Sequence, residues 1–149
     1  MNNHIPISLI TAILLLSCLN TIYSQKRFGF GVGGTSTYDP FELGVQAKVK
    51  FDIHEKSGTA ATFSYLFDKD INWVVDLDQH YNDFVRIGEL GFSPFVGLNL
   101  LSTEPKTFWG LNLGLFTDFE LDNGRVIYVE PKYILGGSDR FALSVGVQF

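Results

Sequence analysis

The sequence predicts an all-β fold: an eight-stranded antiparallel up-and-down barrel. Three observations predict it. Apolar residues recur at every second position in eight successive stretches, the period of a strand with one face apolar. The links between these stretches are too short for parallel crossovers, which need a dozen or more residues and usually a helix. The alternation also runs into the last residue. In "RFALSVGVQF", Phe141, Leu143, Val145, Val147 and Phe149 alternate with Ala142, Ser144, Gly146 and Gln148. A meander of eight antiparallel strands closes most simply into a barrel.

Each element rests on its own alternation. "RFGFGVGG" puts Phe28, Phe30 and Val32 on one face and glycines on the other. "FELGVQAKVKFDIH" opposes Phe41, Leu43, Val45, Ala47, Val49, Phe51 and Ile53 to Glu42, Gly44, Gln46, Lys48, Lys50, Asp52 and His54. "TAATFSYLF" aligns Ala61, Phe63, Tyr65 and Phe67. "INWVVDLDQHY" sets Ile71, Trp73, Val75, Leu77 and Tyr81 against Asn72, Asp76, Asp78 and His80. "GFSPFVGLNLL" alternates Phe92, Pro94, Val96, Leu98 and Leu100 with Gly91, Ser93, Phe95, Gly97 and Asn99. "FWGLNLGLFTDFEL" sets Trp109, Leu111, Leu113, Leu115, Phe119 and Leu121 against Gly110, Asn112, Gly114, Asp118 and Glu120. "VIYVEPKYIL" sets Ile127, Val129, Pro131, Tyr133 and Leu135 against Tyr128, Glu130 and Lys132, and the terminal stretch is the eighth. The connectors "HEKSG", "FDKDI", "STEPKT" and "LGGSDR" are short and polar, and "GTSTYDP" joins the first two strands. "LDNGR" carries Asn123-Gly124, the strongest short hairpin signal, because both residues tolerate positive φ. "NDFVRIGELG" is the longest connector.

The first 25 residues hold no Lys, Arg, Asp or Glu, and "IPISLITAILLLSCL" is an unbroken apolar run. It is short for a transmembrane helix and fits a secretory signal core. The expected division is a signal peptide over 1–24, cleaved before Gln25, and a barrel domain over 25–149. "LLSC" also resembles a lipoprotein box, with lipidation of Cys18 as the alternative, and a membrane anchor is the third reading. Cys18 is the single cysteine, so the mature chain offers no disulfide. The net charge of −5 argues against a nucleic-acid partner.

Three features decide which face points out. Nine glycines share the polar face: Gly29, Gly31, Gly33, Gly44, Gly91, Gly97, Gly110, Gly114 and Gly146. Small residues beside long charged ones suit the crowded interior of an eight-stranded barrel, whereas on a solvent face they would only weaken the strands. The apolar face, with Trp73, Trp109 and many Phe and Leu, would overfill such a lumen but has unlimited room in lipid. Its aromatics also gather at strand ends. With the N-terminus periplasmic, Phe41, Phe67, Trp73, Trp109, Tyr133 and Phe141 fall near the external ends. Phe28, Phe51, Tyr81, Phe92, Phe119 and Phe149 fall near the periplasmic ends. Two aromatic girdles are what the two membrane interfaces select. The expected fold class is therefore a transmembrane β-barrel. The other reading is a soluble periplasmic or secreted barrel with its apolar face inward around a lipid-like ligand.

On this pattern the sequence resembles the small eight-stranded outer-membrane β-barrels of Gram-negative bacteria. "SQ" after the apolar run and "VEPKY" resemble barrels of Bacteroidetes-type organisms. The resemblance implies an outer-membrane location after export and contact with outer-membrane lipid. A monomer is expected because closure removes the barrel's edges, and no enzymatic activity is expected because the sequence carries no phosphate loop, HExxH or GxSxG. The resemblance also implies that the last strand is read by the barrel-assembly machinery. That role falls on Phe149, supported by Val147, Val145, Leu143 and Phe141. The short external connectors depart from adhesive members of the family.

The inward face carries Lys48, Lys50, Lys132 and Arg140 against Asp52, Asp76, Asp78, Asp118 and Glu130. Buried charges need partners, so these residues are expected to form a salt-bridge and hydrogen-bond network filling the lumen. A narrow charge-lined conduit for water or small ions is the alternative. Asp76, Asp78 and His80 share one face at two-residue spacing and could in principle bind a metal or exchange protons. They lack a marked third ligand or nucleophile, and Ser64, Ser93 and Ser144 have no identifiable dyad. His80 is expected to be an ordinary hydrogen-bonded strand histidine and His54 to lie in a turn. No catalytic residue, cofactor or metal is expected.

Overall fold

The computed structural model describes residues 28–67, 72–103, 106–136 and 139–149. The expected signal peptide and the Cys18 alternative lie outside the described residues, as do most of the "FDKDI" link and parts of "STEPKT" and "LGGSDR". Nine strands form: β1 (Phe28–Tyr38), β2 (Glu42–His54), β3 (Ser57–Leu66), β4 (Asn72–Tyr81), β5 (Val85–Ile87), β6 (Leu90–Thr103), β7 (Lys106–Glu120), β8 (Val126–Leu135) and β9 (Arg140–Gln148). Every pairing is antiparallel, in the order β4-β3-β2-β1-β9-β8-β7-β6, and β4 pairs with β6 to close the ring. The barrel therefore has eight staves, closed where the first strand meets the last, Gly33 opposite Gly146. Closure removes the unpaired edges that an open sheet would expose.

The ninth strand is a correction to the expected count. The long connector "NDFVRIGELG" contains β5, which pairs with the start of β6 through Val85↔Phe92 and Ile87↔Leu90. Gly88, at φ +62°, makes the tight reversal that brings β5 back along β6. Three further boundaries differ from expectation. β1 continues through "GTSTY", because Thr35 and Thr37 fill inward positions and leave only Asp39–Phe41 as the turn. Phe41 is thus a turn residue preceding β2. His54 is the last residue of β2, and the turn after it shrinks to Glu55–Lys56. At "LDNGR" only Gly124 has positive φ. Gly124 N–H donates to the Leu121 carbonyl at 2.9 Å, and the Asn123 side chain accepts from Arg125 N–H at 3.0 Å. Asn123 acts through its side chain rather than through a left-handed backbone.

The strands sort their faces as period two requires. Val45, Phe63, Leu77, Leu98, Leu113 and Val145 are among the large apolar side chains left exposed on the outside. Lys48, Asp76, Asp78, Asn99, Asn112 and Glu130 are buried inside. This is inside-out relative to a soluble barrel, and it overturns the reading that places the apolar face inward: Val45 is 50% exposed and Lys48 0%. The nine glycines of the polar face lie beside inward side chains, and Gly97 is one of the tightest. A Cβ there would collide with Asp78 and with the Leu77 carbonyl.

Candidate functional site

The lumen gathers the buried charged side chains of the described residues, and it is stacked in tiers. At the rim opposite the chain termini, Leu66, Val74 and Leu101 pack together inside the barrel with Phe108 against them. Ile134 and Ala142 are also buried on this side. Below them Arg140, Thr35, Thr37, Ser64, Asp76 and Lys132 surround a cavity of only about 10 Å³, barely the space of one water. Ser144 donates to Thr35 Oγ1 at 3.0 Å.

The middle tier is a charge network drawn from β2, β4, β6, β7 and β8. Lys48 pairs with Glu130 and Lys132 with Asp76. Asn99 donates to Asp76 at 2.6 Å. Asn112 donates to Asp76 at 2.9 Å and to Asp78 at 2.8 Å. Gln46 donates to the Tyr128 hydroxyl at 2.9 Å. Toward the terminal rim four rings cross the lumen. His80 stacks on Phe95, with ring centroids 4.8 Å apart, and meets Phe116 edge-on at 5.5 Å. Phe116 stacks on Tyr128 at 5.4 Å. Lys48 Nζ lies 5.2 Å from both the Phe116 and Tyr128 rings, and Lys50 Nζ 5.1 Å from Phe116. These distances are within cation–π range.

The terminal mouth is a vestibule of about 170 Å³ whose lining includes Lys50, Asp52, Asn82, Arg86, Ser93 and Asp118. Lys50 sits 3.8 Å from Asp52, and Asn82 donates to Asp52 at 2.6 Å. The β5 hairpin turns Arg86 inward across this mouth, 2.9 Å from Asp83 and 3.2 Å from Asp118.

Lys48, Lys50, Asp76, Asp78, Asp118, Glu130 and Lys132 all sit inside, so the structure brings the candidate charges into one space, in two separate tiers. Two corrections apply. The charges do not fill the lumen alone, since apolar and aromatic side chains occupy both ends of it. And His80 is not hydrogen-bonded: it is 2% exposed and neither ring nitrogen has a partner. It therefore activates none of the candidate serines. Alternation puts Phe95 and Tyr128 on the inward face, whereas Phe116, Leu66, Val74 and Leu101 carry no polar character that marks them as inward. The signal for these four was parity. Each stands two residues from an inward polar or glycine position: Gly114, Ser64, Asp76 and Asn99.

Most of the exposed aromatic residues gather at the two rims. At the opposite rim Tyr38 lies 5.6 Å from Phe41 and 5.8 Å from Phe141, ring to ring. Tyr65 lies 5.7 Å from Phe67. Trp73 pairs across from Tyr65, Tyr133 pairs across from Phe141, and Trp109 is 67% exposed. At the terminal rim Phe28 meets Phe51 at 5.4 Å and Tyr81 meets Phe84 at 5.7 Å. Phe92, Phe119 and Phe149 continue round that end. Val147, Val145, Leu143 and Phe141 line the outer face of β9, and the Phe149 backbone exchanges two hydrogen bonds with Phe30, at 2.8 and 3.2 Å.

No protein-family model matches the chain, and no curated protein matches it in sequence. Among solved structures it is similar to the N-terminal β-barrel domain of Pseudomonas aeruginosa OprF. The TM-score is 0.71 at 13% identity, over 84% of this chain and 97% of that one. It is also similar to Neisserial surface protein A (NspA), with a TM-score of 0.59 at 12% identity over 81% of this chain and 95% of that one. The outer membrane protein Ail of Yersinia pestis, in a phospholipid bilayer nanodisc, gives 0.57 at 12% identity over 83% and 97%. At such identities the likeness is one of fold: a closed eight-stranded antiparallel barrel shared with small outer-membrane proteins.

Proposed function

We propose that this chain is a small outer-membrane β-barrel whose body is a closed structural unit rather than an aqueous pore. One observation carries the reading: the barrel is apolar outside and polar inside. A belt of exposed Val, Leu and Phe side chains on every stave has no favourable solvent but lipid. The two aromatic rims fit the two membrane interfaces, with Phe41, Phe67, Trp73, Trp109, Tyr133 and Phe141 at the external one. The closed body follows from the apolar tier of Leu66, Val74 and Leu101 and from the ring stack of His80, Phe95, Phe116 and Tyr128. The cavity beneath the apolar tier is only about 10 Å³. The ion pairs between the tier and the ring stack hold staves together and replace the hydration their charges lose.

In this reading the chain is exported by its N-terminal segment, folds as a monomer in outer-membrane lipid, and presents β9 and Phe149 to the barrel-assembly machinery. It has no catalytic role, and its origin is a Bacteroidetes-type bacterium. The test is fractionation of expressing cells, followed by a cold denaturing gel with and without boiling and by planar-bilayer recording. A heat-dependent mobility shift in the outer-membrane fraction and the absence of discrete conductance steps are expected. Protein free in the periplasm with no shift would overturn the membrane reading. Steady ion channels would overturn the closed lumen and favour the narrow conduit.

A further inference from the structure

The middle of the lumen is one positive charge short. Five ionisable side chains there are at most 5% exposed: Lys48 and Lys132 against Asp76, Asp78 and Glu130. Lys48 takes Glu130 and Lys132 takes Asp76, which leaves Asp78. Asp78 Oδ1 accepts one hydrogen bond, from Asn112 at 2.8 Å, and Oδ2 accepts none. The other inward cations belong elsewhere. Lys50 and Arg86 serve Asp52, Asp83 and Asp118 at the terminal mouth. Arg140 lies toward the opposite rim in the field of Glu42 and Asp76.

Buried acceptor oxygens near Asp78 also lack donors, and the unpartnered donors Thr62 Oγ1, Arg140 Nε and the His80 ring N–H do not reach them. Gln46 Oε1, Asn112 Oδ1 and Glu130 Oε1 can only accept, and each is buried without a donor, like Asp78 Oδ2. The groups that face Asp78 do not make up the deficit. On its own strand are Asp76 and His80. Lys132 and Glu130 act on it from β8, and Asn112 bonds it from β7. Across the two ladders it faces Ala60 on β3 and Gly97 on β6, neither charged. His80 does not supply the charge, because the charged groups acting on it are Lys48 and Lys50, and an imidazolium would set a third cation against these two. A lone buried carboxylate is strongly unfavourable.

We propose that the folded barrel holds one monovalent cation at Asp78, either a proton or an alkali-metal ion, taken from water as the barrel closes. In the proton case an O–H bond forms at Oδ2 with a proton from solvent, and the new hydroxyl supplies a donor that the orphan oxygens lack. Among the described residues no group of three or more His, Cys, Asp or Glu side chains is arranged to hold a metal ion. The inference does not depend on where the barrel resides.

The test uses the full folded protein in detergent micelles, wild type and Asp78→Asn. Infrared spectroscopy at neutral pH looks for the carbonyl stretch of a protonated carboxylic acid, identified by isotopic labelling of the aspartate side-chain carboxyl. Thermal unfolding is compared in sodium chloride and choline chloride at equal ionic strength. A proton site gives a label-sensitive band that is lost in Asp78→Asn, and the same midpoint in both salts. An alkali-ion site gives no band but a wild-type midpoint lower by about 5 °C in choline, with Asp78→Asn unmoved. Wild type showing neither band nor salt effect overturns the proposal, as does a band that persists in the variant. If Asp78→Asn does not fold, the wild-type band and salt series decide by themselves.

Discussion

Replacing Lys132 with methionine should be among the most damaging single changes in the lumen. The side chain keeps its unbranched stem and loses the charged end, so most of the packing is preserved while Asp76 loses its ion-pair partner. Asp76 is 0% exposed, so bulk water does not solvate it. Removing one member of a buried pair costs roughly 3–5 kcal/mol. Asp76 keeps the amide bonds from Asn99 at 2.6 Å and Asn112 at 2.9 Å, which places the loss at the lower end, about 3 kcal/mol, or about two orders of magnitude in the folding equilibrium. The double variant Lys132→Met with Asp76→Asn carries no unpaired charge at this pair and should recover to within about 1 kcal/mol of wild type, because neutral replacements of a buried pair are often tolerated. The assay is reversible urea unfolding in detergent micelles, followed by tryptophan fluorescence of Trp73 and Trp109. A single variant within about 1 kcal/mol of wild type would refute the reasoning, and so would a double variant no better than the single.

Gly97→Ala places a methyl group against Asp78 and the Leu77 carbonyl, with the Asp78 Cα 2.7 Å away, so a loss of about 1–3 kcal/mol is expected in the same assay. His80→Phe keeps the ring between Phe95 and Phe116 while removing two nitrogens that have no partner. It should stabilise the barrel by about 1 kcal/mol, and a loss of similar size would show that those nitrogens are satisfied. Leu98→Arg puts a charge on the exposed apolar belt and should cost about 2–4 kcal/mol when unfolding is measured in lipid bilayers; a neutral result would place residue 98 in water. Phe149→Ala should lower the yield in the outer membrane of expressing cells while leaving folding in micelles nearly unchanged. Equal losses in both would assign Phe149 a packing role alone.

Much of the interior was legible residue by residue. Lys48, Asp76, Asp78, Glu130 and Lys132 fall inward because each sits at an even step from another inward residue on its own strand. Gly97 fits the same parity, and its lack of a side chain is what admits Asp78. Leu66, Val74, Leu101 and Phe116 obey the same parity, yet their hydrophobicity matched the outer face and masked their position. Interior apolar residues are read correctly only when the phase of the strand is allowed to outrank the character of the residue. β5 was hidden for a different reason: its three residues are too few for any period to stand out, and its pairing depends on the reversal at Gly88.

The sequence by itself determined the strand period, the antiparallel meander and which residues share a face of each stave. Those properties are local: side-chain direction alternates with the backbone, and a short link leaves no choice but to turn back. Only the tertiary structure decided which inward groups meet. Lys48 and Glu130 are 82 residues apart and Lys132 and Asp76 56 apart. Their pairing follows from the closure of β1 on β9 and from the register of each ladder. A shift of one register would leave the alternation of each strand unchanged while sending its side chains to the opposite face. The neighbouring ladders of β3, β4 and β6 bring Leu66, Val74 and Leu101 together, with Val74 opposite Leu101, and the closure leaves Asp78 without a side-chain cation. Both are properties of the space enclosed and not of any one strand.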